Sequence, residues 1–305
     1  MRILLVTNKT LQNQTSKWVD GGYYNVYIPL KEMGHEVYFY DTVEPEERDL
    51  DKVIEKFKPD LMFCCMTGDR SLTPNEPWEG IIKQTEKGNC RTFNWFCDDV
   101  WRFENFSSQV CKYFHVCSTP EFQYIEKFKE IGYNNILLGF WYTNLDMYPR
   151  NVKKNYEISF CGRANYDRKT YISYLRENNV DVQNFHGLEH KDMLRMIAES
   201  KIGINFSKNY NGRPPVLQMK ARMVEVPAAG SLLLTEYAPG LEHHYEINKE
   251  IITFKTAGEM LKKASLLLKN PKIVEKITEN GFKRCVKDHG SKKRLGDIIK
   301  GIMSV

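Results

Sequence analysis

The chain has 305 residues, about twice the roughly 150 of an ordinary single domain, so two domains are expected. Hydrophobic residues make up 42% and charged residues 27%, a balance that supports packed cores and excludes a disordered or fibrous chain. Lys and Arg total 44 against 39 for Asp and Glu; a net charge of +5 is too small for a general nucleic-acid footprint, though it is compatible with one local basic pocket for an anion.

The longest apolar run covers residues 61–66, far short of the roughly 18 needed to span a bilayer. The opening run Ile3-Leu4-Leu5-Val6 is also shorter than a signal-peptide core of about 7–15 residues, so a cytoplasmic protein is expected. The 8 cysteines include no C-x-x-C pair and mostly fall in apolar runs, as reduced buried thiols do.

In chain order, short apolar runs predict strands over 2–7, 35–40, 60–66, 91–97, 113–117 and 135–139, with helical stretches between them. Gly34 follows Lys31-Glu32-Met33 as a helix C-cap should, since a left-handed residue there is least costly without a Cβ. Residues 141–156 turn to Tyr, Asn, Pro149 and the basic Arg150, Lys153 and Lys154, the composition of an interdomain linker. A second series follows: strand 157–161, helix 168–178, strand 180–185, helix 191–199, strand 201–206, a helix leading to Gly230, strands 231–235 and 250–254, and helices 258–268 and 271–287. The last stretch, 292–302, is amphipathic and basic. The class is α/β, with two Rossmann-like domains facing across a cleft, one over residues 1–148 and the other over 149–291. The helix over 292–305 is expected to pack back on the first domain.

The turn after the first strand lacks G-x-G-x-x-G, which argues against a dehydrogenase; a polar segment over 8–20 ends instead in Gly21-Gly22. Two glycines at a helix start let backbone amides approach a ligand, or simply make a tight turn. The second domain opens with Phe160-Cys161-Gly162-Arg163, so Gly162 and Arg163 should lie beyond the carboxyl end of a strand, where α/β sheets bind ligands. Arg168, in the first turn of the next helix, opposes the helix dipole unless an anion joins it. Arg213-Pro214-Pro215 suits a helix start with free amides. Arg222 and Glu225 are three residues apart, hence on one helix face, and could offer a cation for phosphate beside a carboxylate for a diol, or form a plain intrahelical ion pair. Pro227 should kink the helix before Ala228.

The run from Lys220 through Arg222, Glu225, Gly230, Leu234-Thr235 and Gly240-Leu241, followed by Glu250-Ile251-Ile252-Thr253-Phe254, resembles the C-terminal domain of spore-maturation (CgeB-like) glycosyltransferases, a family with the GT-B fold. Gly162 with Arg163, and the ending through Asp288-His289 and Arg294, match further elements of that family, while Gly34-His35-Glu36-Val37 and 95–99 match more loosely. The resemblance implies a hexosyltransferase-like enzyme that takes a sugar from a nucleoside diphosphate donor, expected to be a UDP-sugar, with no metal or other cofactor. The second domain would hold this donor and the first an unidentified acceptor: a glycan, protein, small molecule or DNA base. Glu225 would take the ribose hydroxyls and Arg163 and Arg222 the diphosphate, with Lys220 or Arg168 as helpers and Gly162 and Thr235 on the donor side. His186, ending a strand, would meet the nucleobase or pack in the core, and the Gly21-Gly22 loop would face the acceptor.

The resemblance has a departure: many retaining members of this fold carry a second Glu eight positions before the ribose-binding one, where this chain has Leu217. Asp98 and Asp99 follow a strand and could include the general base for an acceptor hydroxyl, with N-capping or a D-x-D-like metal site as alternatives. The histidines show no metal-ligand spacing, so no metal is assigned. Two rival readings remain: a non-catalytic nucleotide or sugar binder, motivated by Leu217, and a nucleic-acid base-modifying glycosyltransferase, motivated by Lys153-Lys154 and by Trp95, Trp101, Tyr113, Trp141 and Tyr142.

Overall fold

The computed structural model describes residues 1–10, 18–211 and 214–305. They form two compact units, one of Met1–Phe140 with Ser291–Val305 and one of Trp141–Gly290.

The first unit opens with β1 (Arg2–Thr7) and a π-helical turn, Tyr23–Tyr27, running into α1 (Ile28–Glu32). Then come β2 (Glu36–Asp41), α2 (Leu50–Phe57), β3 (Leu61–Cys64), α3 (Trp78–Lys87), β4 (Arg91–Trp95), α4 (Asp99–Arg102), α5 (Ser108–Val110), β5 (Val116–Thr119), α6 (Phe122–Glu130) and β6 (Ile136–Leu138). The strands make a parallel six-stranded sheet in the order β2-β1-β3-β4-β5-β6. Its central strands are buried along their length, β3 completely, which is what a parallel sheet covered on both faces requires. Phe63 and Phe93 meet across β3 and β4 with ring centroids 4.6 Å apart. Asp49 caps α2 by accepting from the amides of Asp51 and Lys52 at 3.0 and 3.4 Å. Gly34 takes φ +82° just past α1, the left-handed cap its position predicted.

The second unit contains β7 (Tyr156–Cys161), α7 (Asp167–Glu177), β8 (Val182–Phe185), α8 (His190–Ala198), β9 (Ser200–Asn205), β10 (Lys208–Asn209), β11 (Val216–Leu217), α9 (Arg222–Ala228), β12 (Leu232–Glu236), β13 (Ile252–Phe254), α10 (Ala257–Leu268) and α11 (Pro271–Arg284). Its parallel sheet runs β13-β12-β9-β7-β8, and β10 pairs with β11 as a separate antiparallel hairpin. The chain then returns to the first unit as α12 (Ser291–Met303), which buries Leu295, Ile298 and Ile302 and pairs Lys292 with Glu32 at 3.0 Å.

Two expectations need correction. Residues 141–155 are not a free linker: Trp141 Nε1 donates to the Met219 carbonyl at 3.0 Å, and Lys154 Nζ donates to the carbonyls of Ala198 and Gly230 at 2.8 and 2.6 Å, closing the ends of α8 and α9. No helix begins at Pro214-Pro215, because the chain there is extended into β11, and α9 starts at Arg222. Pro227 lies one residue before the end of α9, so the helix stops there and Gly230 turns the chain with φ +67°. Arg213 lies outside the described residues, as does most of the polar segment before Gly21-Gly22.

Candidate functional site

In the second unit the carboxyl end of β7 is the organising point. Gly162 leaves this strand with its amide donating to the Phe185 carbonyl at 2.7 Å, and Asn184 Nδ2 donates back to the Gly162 carbonyl at 2.9 Å. A Cβ on Gly162 would approach the Phe160 ring to 2.8 Å, so only glycine makes this turn without displacing the ring.

Arg222 reaches the same point from α9. Its Nε donates to the Cys161 carbonyl at 2.8 Å, its Nη2 to Met193 Sδ at 2.6 Å, and its Nη1 to the carboxylate of Glu225 one turn on. The pair is not the wet surface ion pair that spacing alone allows. Glu225 is only 4% exposed and the Arg222 side chain 21%. Burial draws the guanidinium below its ordinary value, with Cys161 and Tyr148 opposing that shift. A cation and a carboxylate held together beyond a strand end can grip a phosphate and a diol from one helix turn.

The other donor-side candidates divide. Arg163 follows Gly162 and is exposed. Lys220 Nζ donates to Gln218 Oε1 at 2.6 Å, which also accepts from Asn209 at 2.6 Å, so the lysine is braced against the β10–β11 hairpin. His186 is exposed just past β8, followed by Gly187 at φ +67°. Arg168 is a brace rather than a free cation, because its two terminal nitrogens donate to the carbonyls of Arg163 and Lys208, both at 3.3 Å. Together with the Lys208–Asp167 ion pair at 2.7 Å and the Tyr166–Tyr210 stack at 4.3 Å, it clamps the loop after β7 onto the hairpin. Thr235 is fully buried in β12, accepting from Asn205 at 2.9 Å and donating to the Glu236 carbonyl at 2.9 Å, so it belongs to the sheet and not to a ligand surface. Leu217 sits in β11, off the helix that carries Glu225.

One neighbour escaped the sequence reading. His190 opens α8 close to Arg222, and burial together with that positive charge pushes its pKa down to about 4. It is therefore a neutral imidazole at physiological pH beside the guanidinium. Nothing local marks it, because its proximity to Arg222 arises only when α8 and α9 pack.

In the first unit, Asp20 Oδ1 accepts from the Gly22 amide at 2.7 Å. The Gly21-Gly22 helix start is thus capped from within, and burial raises the pKa of Asp20 while the Gly22 and Gly21 amides oppose that rise. Asp98 is half-buried at the start of α4, where its carbonyl accepts from Trp101 and Arg102. Asp99 cannot meet a substrate as folded, since it is fully buried. Burial raises its pKa from 3.8 to about 6 and the charge of Asp98 adds to the rise; the Ser107 and Thr119 hydroxyls face it and offset part, without either carboxyl oxygen reaching full hydrogen-bond geometry. Among the described residues, no three His, Cys, Asp or Glu side chains gather as a metal site, and no helix is long and apolar enough to cross a membrane.

Residues 149–300 match the model of a family described as glycosyl transferase-like. Among solved structures, a glycosyltransferase from Rickettsia africae ESF-5 superposes with a TM-score of 0.64 at 11% identity, covering 99% of this chain and 98% of that one. Sucrose-phosphate synthase (tll1590) from Thermosynechococcus elongatus gives 0.65 at 10% identity, covering 99% of each chain. The Anabaena protein Alr3699/HepE, solved in complex with UDP, gives 0.61 at 10% identity, covering all of both chains. No curated protein sequence matches. At such identities the structures establish the fold, two Rossmann-like parallel-sheet units of the GT-B class.

Proposed function

We propose that the chain is a CgeB-like glycosyltransferase that moves a hexose from a nucleoside diphosphate donor, a UDP-sugar, to an acceptor hydroxyl without a metal. The observation that carries this reading is the half-sequestered Arg222–Glu225 pair at the carboxyl end of β7, inside the span that matches the family. In this reading Glu225 accepts both ribose hydroxyls, while Arg222 and Arg163 face the diphosphate. The acceptor oxygen attacks the anomeric carbon, the bond from that carbon to the β-phosphate oxygen breaks, and nucleoside diphosphate leaves with the electron pair. The acceptor proton passes to a general base, for which Asp98 is the accessible member of its pair. Fixed cations stabilise the negative charge that develops on the leaving group. UDP bound to Alr3699/HepE supports the choice of uridine.

Lys154, part of the motive for a nucleic-acid acceptor, is tied to helix-end carbonyls, which weakens that alternative. The test is incubation of the chain with a panel of UDP-, GDP- and dTDP-sugars, with and without EDTA. Release of UDP that survives chelation is the expected result. A chain that binds UDP but releases none from any donor is a non-catalytic binder, and loss of release with EDTA refutes metal independence.

A further inference from the structure

We infer that the cavity formed in the first unit by the loops after β2 and β3 is a saccharide-binding site; that its occupant is the acceptor rests on the glycosyltransferase reading above. The cavity measures about 820 Å³, within the roughly 300–1,000 Å³ range of small-ligand sites. Trp78 and Phe106 line it, half-buried, with ring centroids 6.0 Å apart at 84°. A pyranose presents apolar C–H faces to such rings and a belt of hydroxyls to polar neighbours.

The charges of the lining favour the same ligand class. Three cations face four carboxylates, a nearly neutral mixture that attracts no polyanion. Sugar hydroxyls both donate and accept, so a wall carrying Arg48 and Arg70 beside Glu79 can engage them from either side.

The site is also built before any ligand arrives. Glu76 accepts from the amides of Thr67 and Gly68 at 2.6 and 2.9 Å, from Thr73 Oγ1 at 2.9 Å and from the Trp78 indole at 3.0 Å, so one carboxylate fixes both the loop and the ring. Gly68 has φ +65° and packs so closely under the Phe106 ring that a Cβ would collide with it. Phe106 itself sits in a single π-helical turn, Phe103–Ser107, and the Arg102 guanidinium lies 4.3 Å from its ring centroid while donating to the Thr67 carbonyl. Such turns are costly and concentrate at functional sites. Two irregular backbone features therefore converge on one cavity-lining ring, and Arg102 stands on the helix that Asp98 opens.

The test uses the intact chain in saturation-transfer NMR with glucose, N-acetylglucosamine, cellobiose, chitobiose and maltotriose, and with oligo-dT as a polyanion control. At least one saccharide is expected to receive transfer, with affinity falling about tenfold or more in Trp78→Ala. Arg70→Ala changes an exposed loop residue and guards against a Trp78 variant that fails to fold; it should weaken the same sugar by severalfold. Calorimetric UDP affinity should stay unchanged in both variants. If no saccharide binds, or if binding survives both substitutions, the inference is overturned; oligo-dT binding lost in the same variants overturns it in favour of a nucleic-acid ligand. Failure of UDP to bind the unaltered chain would instead strike the donor reading and leave saccharide binding to be judged by itself.

Discussion

Replacing Glu225 with Gln keeps the shape of the side chain and one oxygen able to accept from Arg222, but removes the charge. In the folded chain this side chain is buried and pairs with Arg222 Nη1, while Arg222 keeps the Cys161 carbonyl at 2.8 Å. Breaking a fully buried ion pair costs about 3–5 kcal/mol. Because Arg222 retains a carbonyl partner and part of its side chain reaches water, the cost here should be about 2–3 kcal/mol. At roughly 2–4 °C per kcal/mol for a domain of this size, that lowers the melting temperature by about 4–12 °C. If Glu225 also holds the ribose, the variant loses a charge-assisted hydrogen bond worth about 1.5–3 kcal/mol, which weakens UDP about ten- to a hundredfold. The assay is calorimetric titration with UDP at a temperature where both proteins are folded, beside thermal unfolding without ligand. A lowered melting temperature with a UDP Kd within about twofold of the unaltered protein would refute the reasoning. The pair would then brace α9 and nothing more.

Asp99→Asn should raise stability at pH 7.5 and change it little at pH 4. The unfolded chain loses this proton near 3.8 while the folded chain holds it to about 6, so the stabilisation from Asp99 is complete only below the lower value and is lost as pH rises through the upper one. The interval corresponds to at most ~3 kcal/mol, readable as a gain of several degrees in melting temperature at pH 7.5, and no gain there would show that the carboxyl is not desolvated as folded. Lys154→Met should lower the melting temperature, because the Ala198 and Gly230 carbonyls lose their ammonium donor, at about 1–3 kcal/mol. The same variant should retain whatever affinity for oligo-dT the unaltered chain shows; a loss in gel-shift titration would restore this lysine to a nucleic-acid surface.

What was legible from sequence divides by how far each feature depends on distant neighbours. The strands of both sheets could be read because central parallel strands are apolar on both faces, and runs such as Ile3-Leu4-Leu5-Val6 and Leu232-Leu233-Leu234 have no other comfortable place. The β10–β11 hairpin could not, since each strand has two residues and no period, and its proline pair suggested a helix start instead. Arg222 and Glu225 share a single helical turn, so their separation alone places them on one face, and the tertiary fold decides only what they look toward. Arg168, Thr235 and Asp99 are different in kind. Each is polar and follows or ends a strand, as a ligand contact would, yet the carbonyls of Arg163 and Lys208, the side chain of Asn205 and the turn around Ser107 engage or enclose them first. A polar residue near a strand end faces two competitors for its hydrogen bonds, the protein and the ligand. When loops from three or four strands meet at one place, the protein satisfies most of them, because an unpaired buried polar group costs about 1–3 kcal/mol. Arg163 and Asp98 reach solvent, and Glu225 pairs within its own helix with Arg222, which the Cys161 carbonyl and Met193 hold at the end of β7, so these four are the residues to test.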